Sequence, residues 1–174
     1  FETYNSKNIY VISVGNLTAG GAGKTPFVSF LSKTLKNKNK KHCIITRGYK
    51  KTKSGEHFLD TSNINSFSPQ EVGDEPYMLA KHLKNTPIIV GNKKRGLKIA
   101  ERKKQFTHAV IDDGFQTFKI NKDYNILLID FSLPLAQYKL LPLGFLREPL
   151  SEIKRANMVV FSKTNLCNKE DFIV

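Results

Sequence analysis

The sequence predicts an α/β fold, a mostly parallel sheet flanked by helices, and three features carry that prediction. Short apolar runs without polar alternation recur along the chain, as strands buried on both faces of a parallel sheet do. Amphipathic stretches separate them, so strand and helix alternate as right-handed crossovers require. A glycine-rich segment, 14–25, joins the first apolar run to the first amphipathic stretch. With 174 residues the chain has the size of one domain and can bury a core without metals or disulfides. Hydrophobic residues make up 40% and charged ones 25%, which excludes wholesale disorder and a fibrous repeat.

In chain order, the candidate strands are 10–14, 43–46, 88–90, 109–111, 126–129 and 158–161. Between the first two, 25–36 reads as a helix with Phe27, Phe30, Leu31 and Leu35 on one stripe. A second helix covers 76–84, with Leu79, Ala80 and Leu83 inward, and a weaker third covers 96–106. The rhythm breaks at 47–60, which reads as a hairpin or flap turning near Ser54-Gly55. Residues 63–70 form a polar loop, and a second lobe is expected to start after about 131. The richest apolar stretch, 125–146, is cut by Asp130, Pro134, Lys139 and Pro142, so no segment is expected to span a membrane. No signal peptide is expected, and residue 1 is Phe rather than Met, so the native N-terminus is expected to be missing. Cys43 and Cys167 form no CxxC and no zinc spacing, which fits a reducing compartment.

The net charge is +13, supplied mainly by lysine. Nucleic-acid readers lean on arginine for forked contacts to bases and phosphates, and no RNP, helix-turn-helix or Arg-rich signature is present. A nucleic-acid partner is therefore not expected. The densest basic block, 36–41, reads as a solvated helix end or as an attractor of polyanions such as nucleotide phosphates or anionic lipid.

The segment Val14-Gly15-Asn16-Leu17-Thr18-Ala19-Gly20-Gly21-Ala22-Gly23-Lys24-Thr25 carries the strongest chemical signal. It follows a buried strand and opens a helix, the setting of a phosphate-binding P-loop. Gly20, Gly21 and Gly23 let backbone N–H groups turn toward phosphate oxygens, the helix N-terminus adds partial positive charge, and Lys24 reaches the β- and γ-phosphates. The Thr25 hydroxyl suits Mg²⁺, and Pro26 is tolerated because first-turn N–H groups lack helical partners. Residues 18–25, from Thr18 and Ala19 through Ala22 to Thr25, are thus the candidate nucleotide cradle. The general pattern wants glycine where Thr18 stands.

Such a site needs a carboxylate at a neighbouring strand end. Asp112-Asp113 and Asp130 both qualify, and the adjacent pair is the stronger candidate because like charges side by side call for a cation. In Gly73-Asp74-Glu75-Pro76, Asp74 reads either as a helix N-cap or as a base that takes a proton from a substrate hydroxyl. Ser162-Lys163-Thr164-Asn165 loosely echoes base-contacting loops, but Asn165 stands where a guanine reader would carry Asp. His42, His57, His82 and His108 show no ligand pattern.

These motifs resemble the tetraacyldisaccharide 4'-kinase family, the lipid A kinases of Gram-negative bacteria. The matching segments are ISVGNLTAGGAGKTP, TRGYKKTKSG, VGDEPYMLA, GNKKRG, IDDGFQ, NILLID, LPLGFLREPLSEIKRA and FSKTN, in family order from Ile12 to Asn165. In that family the P-loop opens with Asn-Leu-Thr, so Thr18 supports the match. The resemblance implies a P-loop NTPase-like fold and Mg²⁺-dependent transfer of the ATP γ-phosphate to the 4'-hydroxyl of a tetraacylated disaccharide 1-phosphate, giving lipid IVA. It implies Asp74 as general base with Glu75 beside it, Lys24 and Arg147 as catalytic cations, and Asp112 and Asp113 around Mg²⁺ with Gln116 nearby. An acylated disaccharide lipid and an anionic membrane surface are the implied partners, at the cytoplasmic face of the bacterial inner membrane. Another P-loop small-molecule kinase or ligase, or a basic nucleic-acid-binding P-loop domain, is the alternative. Residue 117 is Thr where the family often has His. The resemblance also implies that the family's N-terminal membrane helix and its later, histidine-bearing part lie outside this sequence.

Overall fold

The computed structural model describes residues 3–166; Cys167 lies outside them. Seven strands form one sheet in the order β3-β4-β2-β5-β1-β6-β7. The strands are β1 (Tyr10–Asn16), β2 (His42–Thr46), β3 (His57–Leu59), β4 (Ile88–Val90), β5 (His108–Asp112), β6 (Tyr124–Asp130) and β7 (Met158–Ser162). Every pairing is parallel except that of β3 with β4. The helices are α1 (Lys24–Asn37), α2 (Pro69–Val72), α3 (Asp74–His82) and α4 (Lys93–Arg102).

The continuous apolar runs are buried as expected, with every residue of β2 and β4 inaccessible. Alternate side chains feed two cores, one on each face. Ile12, Val14, Ile44, Val110 and Ile126 pack with Val28 and Leu35 of α1 and Leu79 of α3. On the other face, Val11, Ile45, Ile89 and Ile111 pack with Leu97 and Ala100 of α4. Register sets the site: β1 pairs β5 with Val14 opposite Asp112, so Asn16, Thr46 and Asp112 close three neighbouring central strands at their C-terminal ends.

Several expectations need correction. Phe30 is 62% exposed, because the inward stripe of α1 runs through Val28, Ser32 and Leu35. The segment 47–60 is no hairpin: its strand β3 pairs with β4 rather than with a second arm of its own. The loop 63–70 holds a 3-10 turn with Ile64 buried and the start of α2. Ser68 and Glu71 form a reciprocal capping box there. Helix α4 starts three residues before 96 because the Asn92 side chain accepts from the Arg95 N–H at 3.1 Å. All four histidines stand at element ends; His42 is buried and bonded to Ser32 Oγ at 2.7 Å. Asp130 ends β6 bound to Ser132 and Lys163, the strand-end role, on the far side of β1 from Asp112. Among the described residues no helix is long and apolar enough to cross a membrane.

Candidate active site

The chain leaves β1 at Asn16, turns through 17–23 and enters α1 at Lys24. Gly23 permits the turn at φ 77°, a left-handed conformation that costs a side-chain-bearing residue free energy. At Gly20 and Gly21 an added Cβ would meet no heavy atom within 4 Å, so both backbones border open space. The turn is braced from outside. Ala19 N–H donates to Phe145 O at 2.6 Å and Arg147 N–H to Leu17 O at 2.7 Å. Ser162 Oγ at the end of β7 donates to Ala22 O at 2.9 Å. Thr18 is buried within this brace, its carbonyl and hydroxyl both accepting from the Asn16 amide.

Two cations converge above the cradle. Lys24 Nζ donates to Asn16 Oδ1 at 2.9 Å and lies 3.4 Å from Asp113 Oδ1. Arg147 donates to the same Asn16 oxygen at 3.0 Å and to Thr18 O at 3.1 Å, and lies 3.5 Å from Asp113 Oδ2. Asp113 sits at φ 48°. Burial opposes its ionisation, but Lys24, Arg147 and Lys93 together outweigh that and hold its carboxyl below the usual range. Asp112 behaves oppositely: burial pushes its pKa up, against the Thr46 hydroxyl that donates to Oδ2 at 3.0 Å. The adjacent aspartates are thus tuned apart. Lys93, itself pushed down by burial, donates to the Asp113 carbonyl.

A cleft of about 1010 Å³ runs from Gly20–Pro26 past Asp112 and Asp113 to Thr46–Lys50 and Asp74–Pro76. Asp74 and Glu75 are exposed on its far lip. Asp74 is not an N-cap: Gly73 holds that position at φ 95° and no side chain caps the helix. A second cleft of about 700 Å³ shares Arg47, Gly48 and Lys50 with the first and continues along Lys93, Lys94 and Arg95 to Lys119. Of the flap lysines, Lys51 donates to the Lys53 and Gly55 carbonyls, and Lys53 pairs with Glu71 at 3.3 Å. Lys50 lies 5.5 Å from the centre of the Tyr49 ring, which is 78% exposed.

A family model described as LpxK, tetraacyldisaccharide-1-P 4'-kinase, matches residues 1–172. The chain belongs to this family. A tetraacyldisaccharide 4'-kinase of Halothermothrix orenii is 42% identical over 164 residues, covering 92% of this chain and 42% of the relative. One from Aquifex aeolicus is 41% identical over 153 residues, covering 87% and 47%. A crystal structure of LpxK from Aquifex aeolicus in complex with ATP superposes with a TM-score of 0.85 at 38% identity, over all of this chain and 53% of that one. The chain spans less than half the length of these curated relatives.

For this LpxK-family chain the structure brings Gly20, Gly21, Ala22, Gly23, Lys24 and Thr25 onto one cleft with Asp74, Asp112 and Asp113. Thr18, Ala19 and Arg147 form the wall that braces it. Gln116 Nε2 is committed to the Asn16 carbonyl at 2.9 Å. The donor set suits Mg²⁺, which takes one or two carboxylates, waters and phosphate oxygens rather than a full protein cage. Asp112 Oδ1 and Gln116 Oε1 are buried oxygens without a hydrogen-bond partner, and among the described residues no group of three His, Cys, Asp or Glu forms a cage. Sequence reasoning assigned no role to Asn16, Thr46 or Lys93. Asn16 did carry a signal, since a polar residue closing a buried apolar run must find partners. Lys93 carried none among so many lysines.

Proposed function

We propose that the protein transfers the γ-phosphoryl group of ATP to the 4'-hydroxyl of a tetraacylated disaccharide 1-phosphate, the step that gives lipid IVA in lipid A biosynthesis. One observation carries the reading: a single cleft has a P-loop on one wall and an acidic helix start, Asp74, on the other. The tetraacyldisaccharide 1-phosphate for which the family is named supplies the acceptor.

In this reading the N–H groups of 20–25 and the Lys24 ammonium cradle the β- and γ-phosphates. Asp112 and Asp113, with the Thr25 hydroxyl and Gln116, would hold Mg²⁺, which when bound would offset charge on the phosphate oxygens. Asp74 accepts the proton of the acceptor hydroxyl as its oxygen bonds to the γ-phosphorus and the bond to the β-phosphate oxygen breaks. Arg147 steadies the charge on the transferring group. Little covalent chemistry falls to the protein, so the rate gain is positioning and electrostatics.

The acceptor also places the work at a membrane. Each buried CH₂ holds an acyl chain in lipid by about 0.8 kcal/mol, so the enzyme meets its substrate at the cytoplasmic surface of the inner membrane, where ATP is. Tyr49 and Lys50 at the mouth of the cleft are the proposed contact, a basic residue near anionic lipid contributing about 1 kcal/mol. The test is phosphoryl transfer from labelled ATP to the acceptor in anionic vesicles at two salt concentrations. Transfer that weakens as salt rises is expected. Failure to phosphorylate the acceptor contradicts the kinase reading, and transfer indifferent to salt contradicts the electrostatic contact.

A further inference from the structure

Asn16 ends β1 with no solvent exposure, and its side chain is more heavily used than a strand end requires. Its amide nitrogen donates to Thr18 O at 2.8 Å and Thr18 Oγ1 at 3.0 Å. Its amide oxygen accepts from Lys24 Nζ at 2.9 Å and from Arg147 Nη2 at 3.0 Å. Its backbone carbonyl accepts from Gln116 Nε2. One buried amide therefore ties the P-loop lysine to an arginine 131 positions along the chain.

Two cations meeting on one atom repel, and among the described residues the only carboxylate beside both is Asp113. The arrangement holds because the amide dipole is strong enough to orient the cations yet carries no charge to cancel them. Within this group of three, two positive charges face one negative one, which leaves Lys24 and Arg147 with one positive charge between them for a phosphate to meet. A carboxylate of the same shape in place of Asn16 would complete two buried ion pairs and remove that excess. It would also lose the two N–H donors that fix the Thr18 carbonyl and hydroxyl.

We propose that Asn16 is a positioning residue that holds Lys24 and Arg147 as a pair toward the nucleotide phosphates, and that its neutrality is what the site selects. The inference rests on the reading of the cradle as a nucleotide site. It makes a prediction opposite to that of a purely packing role. Packing favours the isosteric Asp over the truncated Ala, whereas charge retention makes Asp the more damaging change for nucleotide binding.

The test is calorimetry of a non-hydrolysable ATP analogue with Mg²⁺, using the complete protein and its Asn16→Asp, Asn16→Ala, Arg147→Ala, Asn16→Ala/Arg147→Ala and Lys24→Ala variants. Asn16→Asp should weaken binding by at least about tenfold, as expected when the positive charge that meets the phosphates is cancelled, and more than Asn16→Ala does. Losses from Asn16→Ala and Arg147→Ala should combine to less than their product, because one acts through the other. If the Asp or Ala variant does not fold, Asn16→Ser, neutral and smaller, enters the same cycle with Arg147→Ala. Asn16→Asp binding like the parent while Lys24→Ala does not, or independent losses in either cycle, overturns the inference. Lys24→Ala binding like the parent overturns the nucleotide reading instead.

Discussion

On the cradle wall of the cleft, Lys24 and Arg147 both touch Asn16, lie within 3.5 Å of Asp113, and are backed by buried Thr18, by the Ala19 N–H bond to the Phe145 carbonyl and by the Ser162 Oγ bond to the Ala22 carbonyl. On the opposite wall, Asp74 and Glu75 are exposed, no side chain caps their helix, and the neighbouring Tyr49 is 78% exposed. The first wall has its charges oriented before any ligand arrives; the second offers reach and little fixed geometry. In the proposed reaction the difference separates two tasks. Holding a compact, highly charged phosphate chain rewards a rigid set of donors, whereas meeting a large acceptor at a surface needs an open lip. Substitutions on the two walls should therefore fail in different ways.

The largest effect is expected on the rigid wall. Lys24→Ala should reduce turnover by about 10²–10³-fold, as loss of a fixed charge stabiliser does, and should weaken nucleotide binding by calorimetry. Equal affinity in the two proteins would remove the prebuilt-wall account. Next come two glycines that look alike in sequence. At Gly15 a Cβ would lie 2.6 Å from Phe115 Cβ, so Gly15→Ala should cost about 1–3 kcal/mol of stability in a denaturant titration. At Gly21 the added methyl enters open cradle space, so Gly21→Ala should change stability by no more than about 0.5 kcal/mol and still weaken nucleotide binding. Matching stability losses would show that the cradle is packing rather than a site.

The smallest effect lies away from both walls. Burial, reinforced by Lys36, lowers the pKa of His42 against its hydrogen bond to the Lys40 carbonyl. The folded protein holds this imidazole neutral to lower pH than the unfolded chain does, which binds a proton below about pH 6.5. Its contribution is therefore present above that pH and lost as pH falls through the unfolded value toward the depressed folded one. Denaturant titrations from pH 7.5 to 5.5 should show a decline that His42→Gln flattens. His42 begins β2 at the end opposite Thr46, so nucleotide affinity should not follow the decline.

The sheet was largely legible in the sequence because runs such as Cys43-Ile44-Ile45 and Ile88-Ile89-Val90 have no polar face and fit only a doubly covered strand. The cradle was legible because its glycines and Lys24 are contiguous. What escaped was set by distant partners. Strand β3 is only three residues long and takes its register from β4, so 47–60 reads in sequence only as a hairpin or flap. Phe30 looks apolar enough to be buried, but the 3.6-residue period through Val28 and Leu35 turns it outward. Asn16 acts through Arg147, and no local pattern reveals a contact that far along the chain. Asp74 was ambiguous between cap and base, and the placement of Gly73 at the cap removes the first alternative.

The separation of the two walls is tested most directly by Asp74→Ala in the complete protein, with kcat and ATP affinity measured side by side. A base that acts only on the acceptor hydroxyl should take at least roughly 10²-fold from kcat and leave ATP affinity where it was. An unchanged kcat, or a loss of ATP affinity in step with it, would contradict the assignment of Asp74 to the acceptor wall.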